Sequence, residues 1–197
     1  MKQLITSGAK GTEYHFAEFA LGAGIPVKTF SYEGDNIITE FTDQIELLTE
    51  PQLHVPDTLI TLIRRKSGLI FPDNEVRRNI IRKYYWIVRA AKTLIVVGEL
   101  KKSVREMRSG KGDWHWAIEM AKFWDIPVCV FDTRNEMWQY WDPLAGCWLP
   151  TFENNPPKMP ETFSAAGTKA LCPAGSIAIQ SFFETHARHV ELIEEQR

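Results

Sequence analysis

Cysteine is scarce in this chain, and its three copies, Cys129, Cys147 and Cys172, form no CxxC pair. An odd, scattered set builds neither a disulfide framework nor a zinc ribbon, and it suits a reducing compartment. The histidines at 15, 54, 115, 186 and 189 show no HExxH or other metal-ligating spacing, and none pairs with a serine-nucleophile motif. The sequence therefore implies no metal site and no cofactor. No apolar run approaches the ~20 residues that cross a bilayer, and MKQLITSG leads straight into strand-like sequence instead of a signal peptide. An excess of positive charge is also missing: 23 basic against 25 acidic side chains leave a net charge of −2, which argues against a surface for the nucleic-acid backbone. Neither a full GxGxxG nor a GxxxxGK[ST] motif occurs, so ordinary dinucleotide-binding and P-loop NTPase readings lose support. These absences predict a soluble cytoplasmic protein with no membrane partner; a homo-oligomer is left open.

What the chain does have is enough for one domain. Its 197 residues are 44% apolar and 24% charged, so it can bury a core of its own. QLITS at Gln3 to Ser7 has strand composition, Gly8 and Gly11 bracket a break, and an Ala-rich helical stretch runs from Thr12 to Leu21. Gly22 and Gly24 end that helix and IPVKTFSYE supplies the next strand, so a βαβ unit and a parallel sheet are expected. Residues 35 to 73, interrupted by Pro51 and Pro56, read as an irregular or helical insertion. From Asn74, Val76, Ile80, Ile81, Tyr84, Ile87 and Val88 fall at helical spacing and lead into the strand TLIVVGE. A polar, basic loop from Leu100 to Lys111 precedes the helix GDWHWAIEMAKFW and the strand IPVCVFDT. Residues 136 to 150 alternate aromatic and polar side chains, as a small tryptophan-rich hairpin does. A Pro- and Asn-rich linker then leads to the strand ETFSAAGTKA and a helix from about Pro173 to the end. The expected fold class is α/β: a Rossmann-like, mostly parallel sheet with helices on both faces, plus the insertion and the hairpin.

Three strands end in turns rich in small residues before a helix: SGAKG at Ser7 to Gly11, VGELKK with SGKGD at Val97 to Asp113, and AAGTK at Ala165 to Lys169. In a parallel sheet such turns share one edge, where unpaired N–H groups and the positive ends of helix dipoles suit a phosphate or carboxylate. Glycine there permits positive φ and close approach, and hydroxyls such as Ser7 and Thr168 add donors. One such loop is more often just a tight turn; three together favour a ligand edge.

LITSGAKGTEYHFAEFALGAGIPV resembles the SGGAxGAD phosphate-loop segment of the SLOG superfamily, the Rossmann-like group of DprA and the LOG or "lysine decarboxylase-like" phosphoribohydrolases. Ser7, Gly8, Ala9 and Gly11 match it, while Thr12 and Glu13 stand where Ala and Asp are usual. RKYYWIVRAAKTLIVVG and GDWHWAIEMAKFWDIPVCVFD are similar to the RNxYQV…ADxVxxxG and GGTGxAIxxAxxxxIPVxxFD segments of uncharacterised, often phage-encoded members, with Gly112, Asp113 and Trp114 in place of GGT. TFSAAGTKALCPAGSIAIQSFFETH resembles the strand, turn and helix that open many such proteins. Here that piece comes last, which implies a circular permutation. The resemblance implies binding of a nucleotide or nucleotide-derived ligand, with N-glycosidic hydrolysis of nucleoside 5′-monophosphates or DprA-type single-stranded DNA binding as alternatives.

The phosphate-binding candidates are Ser7, Gly8, Ala9, Lys10, Gly11, Thr12, Gly98, Gly112, Asp113, Trp114, Gly167, Thr168 and Lys169. Lys10 and Lys169 could neutralise phosphate or merely aid solubility, and Trp114 could stack on a base. Asp113 reads more simply as a helix N-cap than as a phosphate neighbour. For catalysis the resemblance points to Glu119, seven residues after Gly112, and Glu13 stands in for the family's Asp. A solvated helix carboxylate is the commoner role for the first and dipole complementation for the second. The run Arg77, Arg78, Arg82 and Lys83 reads as a basic helix face, most often merely solvated, while the resemblance implies that this region approaches the ligand edge, with Lys83 in place of the family's Asn.

Overall fold

Alternating apolar residues along each central strand go to opposite sides of one eight-stranded sheet, and each side is roofed by helices. The computed structural model describes residues 2–100 and 112–194, with side chains described to residue 186. Most of the basic loop foreseen between Leu100 and Lys111 lies outside the described residues. Strand β1 (Gln3–Thr6) leads to α1 (Thr12–Gly22) and β2 (Val27–Tyr32); then come β3 (Gln44–Leu48), α2 (Glu50–His54), α3 (Asp57–Ser67) and α4 (Glu75–Arg89). Strand β4 (Thr93–Gly98), α5 (Trp114–Phe123) and β5 (Val128–Asp132) follow, then the hairpin β6 (Met137–Asp142) and β7 (Cys147–Pro150), strand β8 (Thr162–Gly167) and helix α6 (Pro173–Glu194).

The strand order is β3-β2-β1-β8-β4-β5-β6-β7, parallel from β3 through β5 and antiparallel in the hairpin. This is a Rossmann-like α/β fold. In β4, Leu94 and Val96 join the cluster under α2 to α5, while Ile95 and Val97 join the one under α1 and α6. Phe182 of α6 is the hub of that second cluster, with ring centroids 6.0 Å from Phe16 and 5.6 Å from Phe163.

Strand β8, last in the chain, inserts between β1 and β4 and pairs in parallel with both. Helix α6 packs beside α1, and the Lys2 ammonium lies 2.7 Å from ring nitrogens of His186 on α6. The two chain ends therefore close a unit of strand, helix and parallel strand across the break in the chain.

The insertion at 35 to 73 is not wholly irregular or helical. It contributes β3, an edge strand paired with β2 in register Thr29↔Ile45 and Ser31↔Leu47. Burial of Leu48 on one face, with Ile45 and Leu47 exposed on the other, explains why its composition looked weak. The turns after β1, β2, β4, β5 and β8 all leave the same edge of the sheet, where ligands bind in folds of this kind.

Candidate functional site

At that edge the Ser7–Gly11 turn rests on a buried polar network. Glu13, 2% exposed, accepts hydrogen bonds from the Ser7 backbone N–H at 3.0 Å, from the Ser7 hydroxyl and from the Tyr84 hydroxyl at 2.8 Å, with Thr6 Oγ1 at 3.4 Å. Burial raises its carboxyl above the ordinary value, opposed by Ser7, Tyr84 and the charge of Lys83. Burial and the Glu13 charge also raise the Tyr84 phenol well above its ordinary value, which keeps it a donor. Lys83, itself 2% exposed, donates to the Ser7 carbonyl at 2.9 Å and to Asp35 Oδ2 at 2.5 Å. Asp35 ties in the turn after β2, where burial and the Asp35 charge push the Tyr32 phenol to about 12.

Burial of Lys83 and Arg82 corrects the solvated reading of this basic face, and Lys83 reaches the opening turn. Arg82 is 5% exposed and held by Asp57 at 2.7 and 2.9 Å and by Glu75 at 2.5 Å. A signal for Lys83 was present: it lies three residues after Ile80, one before Tyr84 and four before Ile87, on the inward face of α4.

The opening and closing turns of the chain meet. Gly11, at φ +90°, presses so close that a Cβ there would lie 2.4 Å from the carbonyl oxygens of Thr168 and Lys169. The Thr12 N–H donates to Thr168 O at 3.0 Å, and the Thr12 hydroxyl reaches Val97 O at 3.2 Å. They meet by packing, not around a shared space. The Thr168 N–H donates to Val97 O, and a Cβ on Gly167 would lie 2.1 Å from that same oxygen. Neither the Thr12 nor the Thr168 amide is free for an anion; Lys169 is exposed beside them.

The space lies on the other side of the opening turn. The Gly8 carbonyl accepts from the Ile38 N–H at 2.8 Å, which draws residues 37 to 41 over α1. A cavity of about 400 Å³ is lined by Lys10, Gly11, Tyr14, Ile38 and Glu40. The Tyr14 ring is set edge-on to Phe41, centroids 5.1 Å apart, and burial with the charges of Glu40 and Glu18 raises its phenol above the ordinary value. The backbone amides of Lys10 and Gly11 make no hydrogen bond among the described residues, and the Lys10 ammonium makes neither a hydrogen bond nor an ion pair there. Ala9 is half-buried, its N–H 3.3 Å from Ser7 Oγ.

The α5 turn does something other than what its sequence implied. Trp114 is 5% exposed, not open to a base: its ring fills the space over Gly98, where a Cβ would lie 2.7 Å away, and stacks on His115 at 3.7 Å. Gly112, at φ +102°, passes 2.5 Å from the indole nitrogen by the same measure. Asp113 stands at the N-cap of α5 without capping it; its carboxylate instead meets Arg77 Nη2 at 2.6 Å. Glu119 is half-buried with Lys122 at 3.0 Å, and the Lys122 ammonium lies 3.7 Å from the Trp141 ring centroid. That places Glu119 toward the hairpin, away from the opening turn, while Glu13 lies beneath the turn. The two catalytic candidates are not brought together.

Among the described residues no three or more His, Cys, Asp or Glu side chains converge as a metal site, and no helix is long and apolar enough to cross a membrane. No protein-family model and no curated protein matches the sequence. In fold the chain is similar to the crystal structure of a "Putative molybdenum carrier protein" from Syntrophus aciditrophicus, with a TM-score of 0.54 over 94% of each chain at 12% identity. At that identity the likeness is one of Rossmann-like architecture.

Proposed function

We propose that this protein binds a nucleotide or nucleotide-derived ligand in the cavity beside the Ser7–Gly11 turn. Its phosphate lies against the Lys10 ammonium and the Lys10 and Gly11 amides, and the remainder extends along Tyr14 and Ile38. The observation that carries this reading is a cavity of about 400 Å³ opening on a turn whose ammonium and two amides are unpaired among the described residues. Its size falls within the range of small-molecule sites, roughly 300–1,000 Å³. An anion there also meets the positive end of α1. The buried network beneath holds the turn rigid, so little ordering remains to oppose binding.

The strand order and the turn that ends β1 further support the chain as a circularly permuted member of the SLOG superfamily. Binding is preferred to phosphoribohydrolysis because Glu13 is engaged on Ser7 and Tyr84 and Glu119 on Lys122. It is preferred to single-stranded DNA binding because the net charge is −2.

The test is a thermal-shift panel of nucleoside mono-, di- and triphosphates, ADP-ribose and molybdate. A nucleotide at 100 times its dissociation constant adds about 2.7 kcal/mol, a rise of several degrees. The rise should be lost in Lys10→Glu, whose exposed side chain leaves the fold intact. A response to molybdate alone, or to nothing in the panel, contradicts the reading.

A further inference from the structure

Away from the opening turn, a cavity of about 270 Å³ lies between α6 and the junction of β5 with the hairpin. Phe131 of β5 and Trp138 of β6, opposite each other in the antiparallel ladder, form its apolar floor. On α6, Ala174, Ile177, Ala178 and Ser181 line it at the three- and four-residue spacing of one helix face. Two observations set it apart from a packing gap. Ile177 lines it yet stays 66% exposed, apolar surface that the fold leaves uncovered. The Trp138 indole N–H makes no hydrogen bond among the described residues, although its side chain is 2% exposed. That nitrogen is also absent from the fully enclosed polar atoms, so the little surface it keeps faces the cavity that Trp138 lines. A buried donor without a partner is costly, and an acceptor entering the cavity removes that cost.

We propose that this cavity binds an uncharged two-ring aromatic heterocycle whose ring nitrogen or carbonyl oxygen accepts a hydrogen bond from the Trp138 indole. Its rings pack against Phe131, Ile177 and Ala178. The size follows from volume: an apolar cavity of roughly 150 Å³ holds one benzene, and a helix about 10 Å across does not enter a space of this kind. The absence of charge follows from the lining, whose one ionisable side chain is the carboxylate of Glu136. An anion would meet a like charge there and no cation. The two cavities therefore divide by charge, and this one stands whether or not the other takes a nucleotide.

The experiment is proton–nitrogen NMR of the full chain titrated with isoquinoline, with its carbon isostere naphthalene and with the anion naphthoate, at neutral pH. Isoquinoline should move the Trp138 side-chain N–H resonance and the amides from Ala174 to Ser181, and bind about fivefold more tightly than naphthalene, the effect of one hydrogen bond. Naphthoate should move neither set. Trp138→Phe should erase the preference for isoquinoline, and Ser181→Phe, which fills the cavity from α6 and leaves the floor intact, should abolish binding of both. Equal affinity for isoquinoline and naphthalene, binding of naphthoate as tight as that of isoquinoline, binding that persists in Ser181→Phe, or no response to any of the three overturns the proposal. So do shifts from Ala174 to Ser181 that follow protein concentration alone, which would mean that a second copy covers the cavity. The nucleotide reading is read separately, at the Lys10 and Gly11 amides.

Discussion

Glu13 is a carboxylate held by donors yet short of solvent, and the balance gives it a measurable pH signature. Burial outweighs the hydrogen bonds, so its carboxyl titrates above the ordinary value of 4.5. The unfolded chain loses this proton first, so above that value the folded state holds more protons and stability falls as pH rises through the folded value. Glu13→Gln has no such loss. Its thermal midpoint relative to the wild type should climb as pH rises above the ordinary carboxyl value of 4.5; a flat difference would refute the burial argument. Lys83 is the opposite case, a buried charge whose loss strands a partner. Lys83→Met should cost about 3–5 kcal/mol in urea denaturation because Asp35 is left unpaired, and adding Asp35→Asn should restore part of it. The opening glycine turn was legible residue by residue, but its support was not. Asp35, in the turn after β2, and the adjacent pair Lys83 and Tyr84, on α4, lie far from the turn and from each other in sequence, and only the tertiary fold joins them. Trp114 misled for a related reason: an indole at a helix start reads the same whether it faces a ligand or, as here, roofs a glycine strand end.

At the scale of elements, Gly11 is where α1 meets the turn after β8. Gly11→Ala would force a side chain onto two carbonyl oxygens at a φ that L-residues avoid. A loss of at least about 2 kcal/mol is expected in denaturant melts; an unchanged midpoint would contradict the close packing. The parallel core, both roofs and the hairpin were readable from period-2 and helical patterns, because buried strands and amphipathic helices advertise themselves. Strand β3 was not, since an edge strand with Ile45 and Leu47 facing solvent carries a weak pattern. The closing β8, α6 and opening β1 supply an element-scale test of the permuted order. A chain begun within the 151–161 linker, with its old ends joined by a short Gly-Ser linker, should fold to the same circular dichroism spectrum. Failure to fold would show that the contact between Lys2 and α6 does not reflect a closable unit.

For the whole molecule, the shared sheet edge was foreseeable and the position of the cavity on it was not. The sequence aligned three turns as though they faced one ligand. In the fold, two of those turns are packed by carbonyl, amide and indole contacts, and the space opens on the far side of the first, under residues 37 to 41. Ile38 and Glu40 carry no motif, so nothing in their local sequence ties them to the turn; the Ile38 to Gly8 hydrogen bond does. A second cavity of about 270 Å³ lies at the start of α6, lined by Phe131, Trp138 and Ile177 among others, and it is the natural competitor for any ligand. Amide-resolved NMR with a bound ribonucleoside 5′-monophosphate decides between the two. The account predicts the largest shifts at the Lys10 and Gly11 amides, with smaller ones at Tyr14, Ile38 and Glu40; shifts centred on Ala174 to Ser181, with Lys10 and Gly11 unmoved, would contradict it.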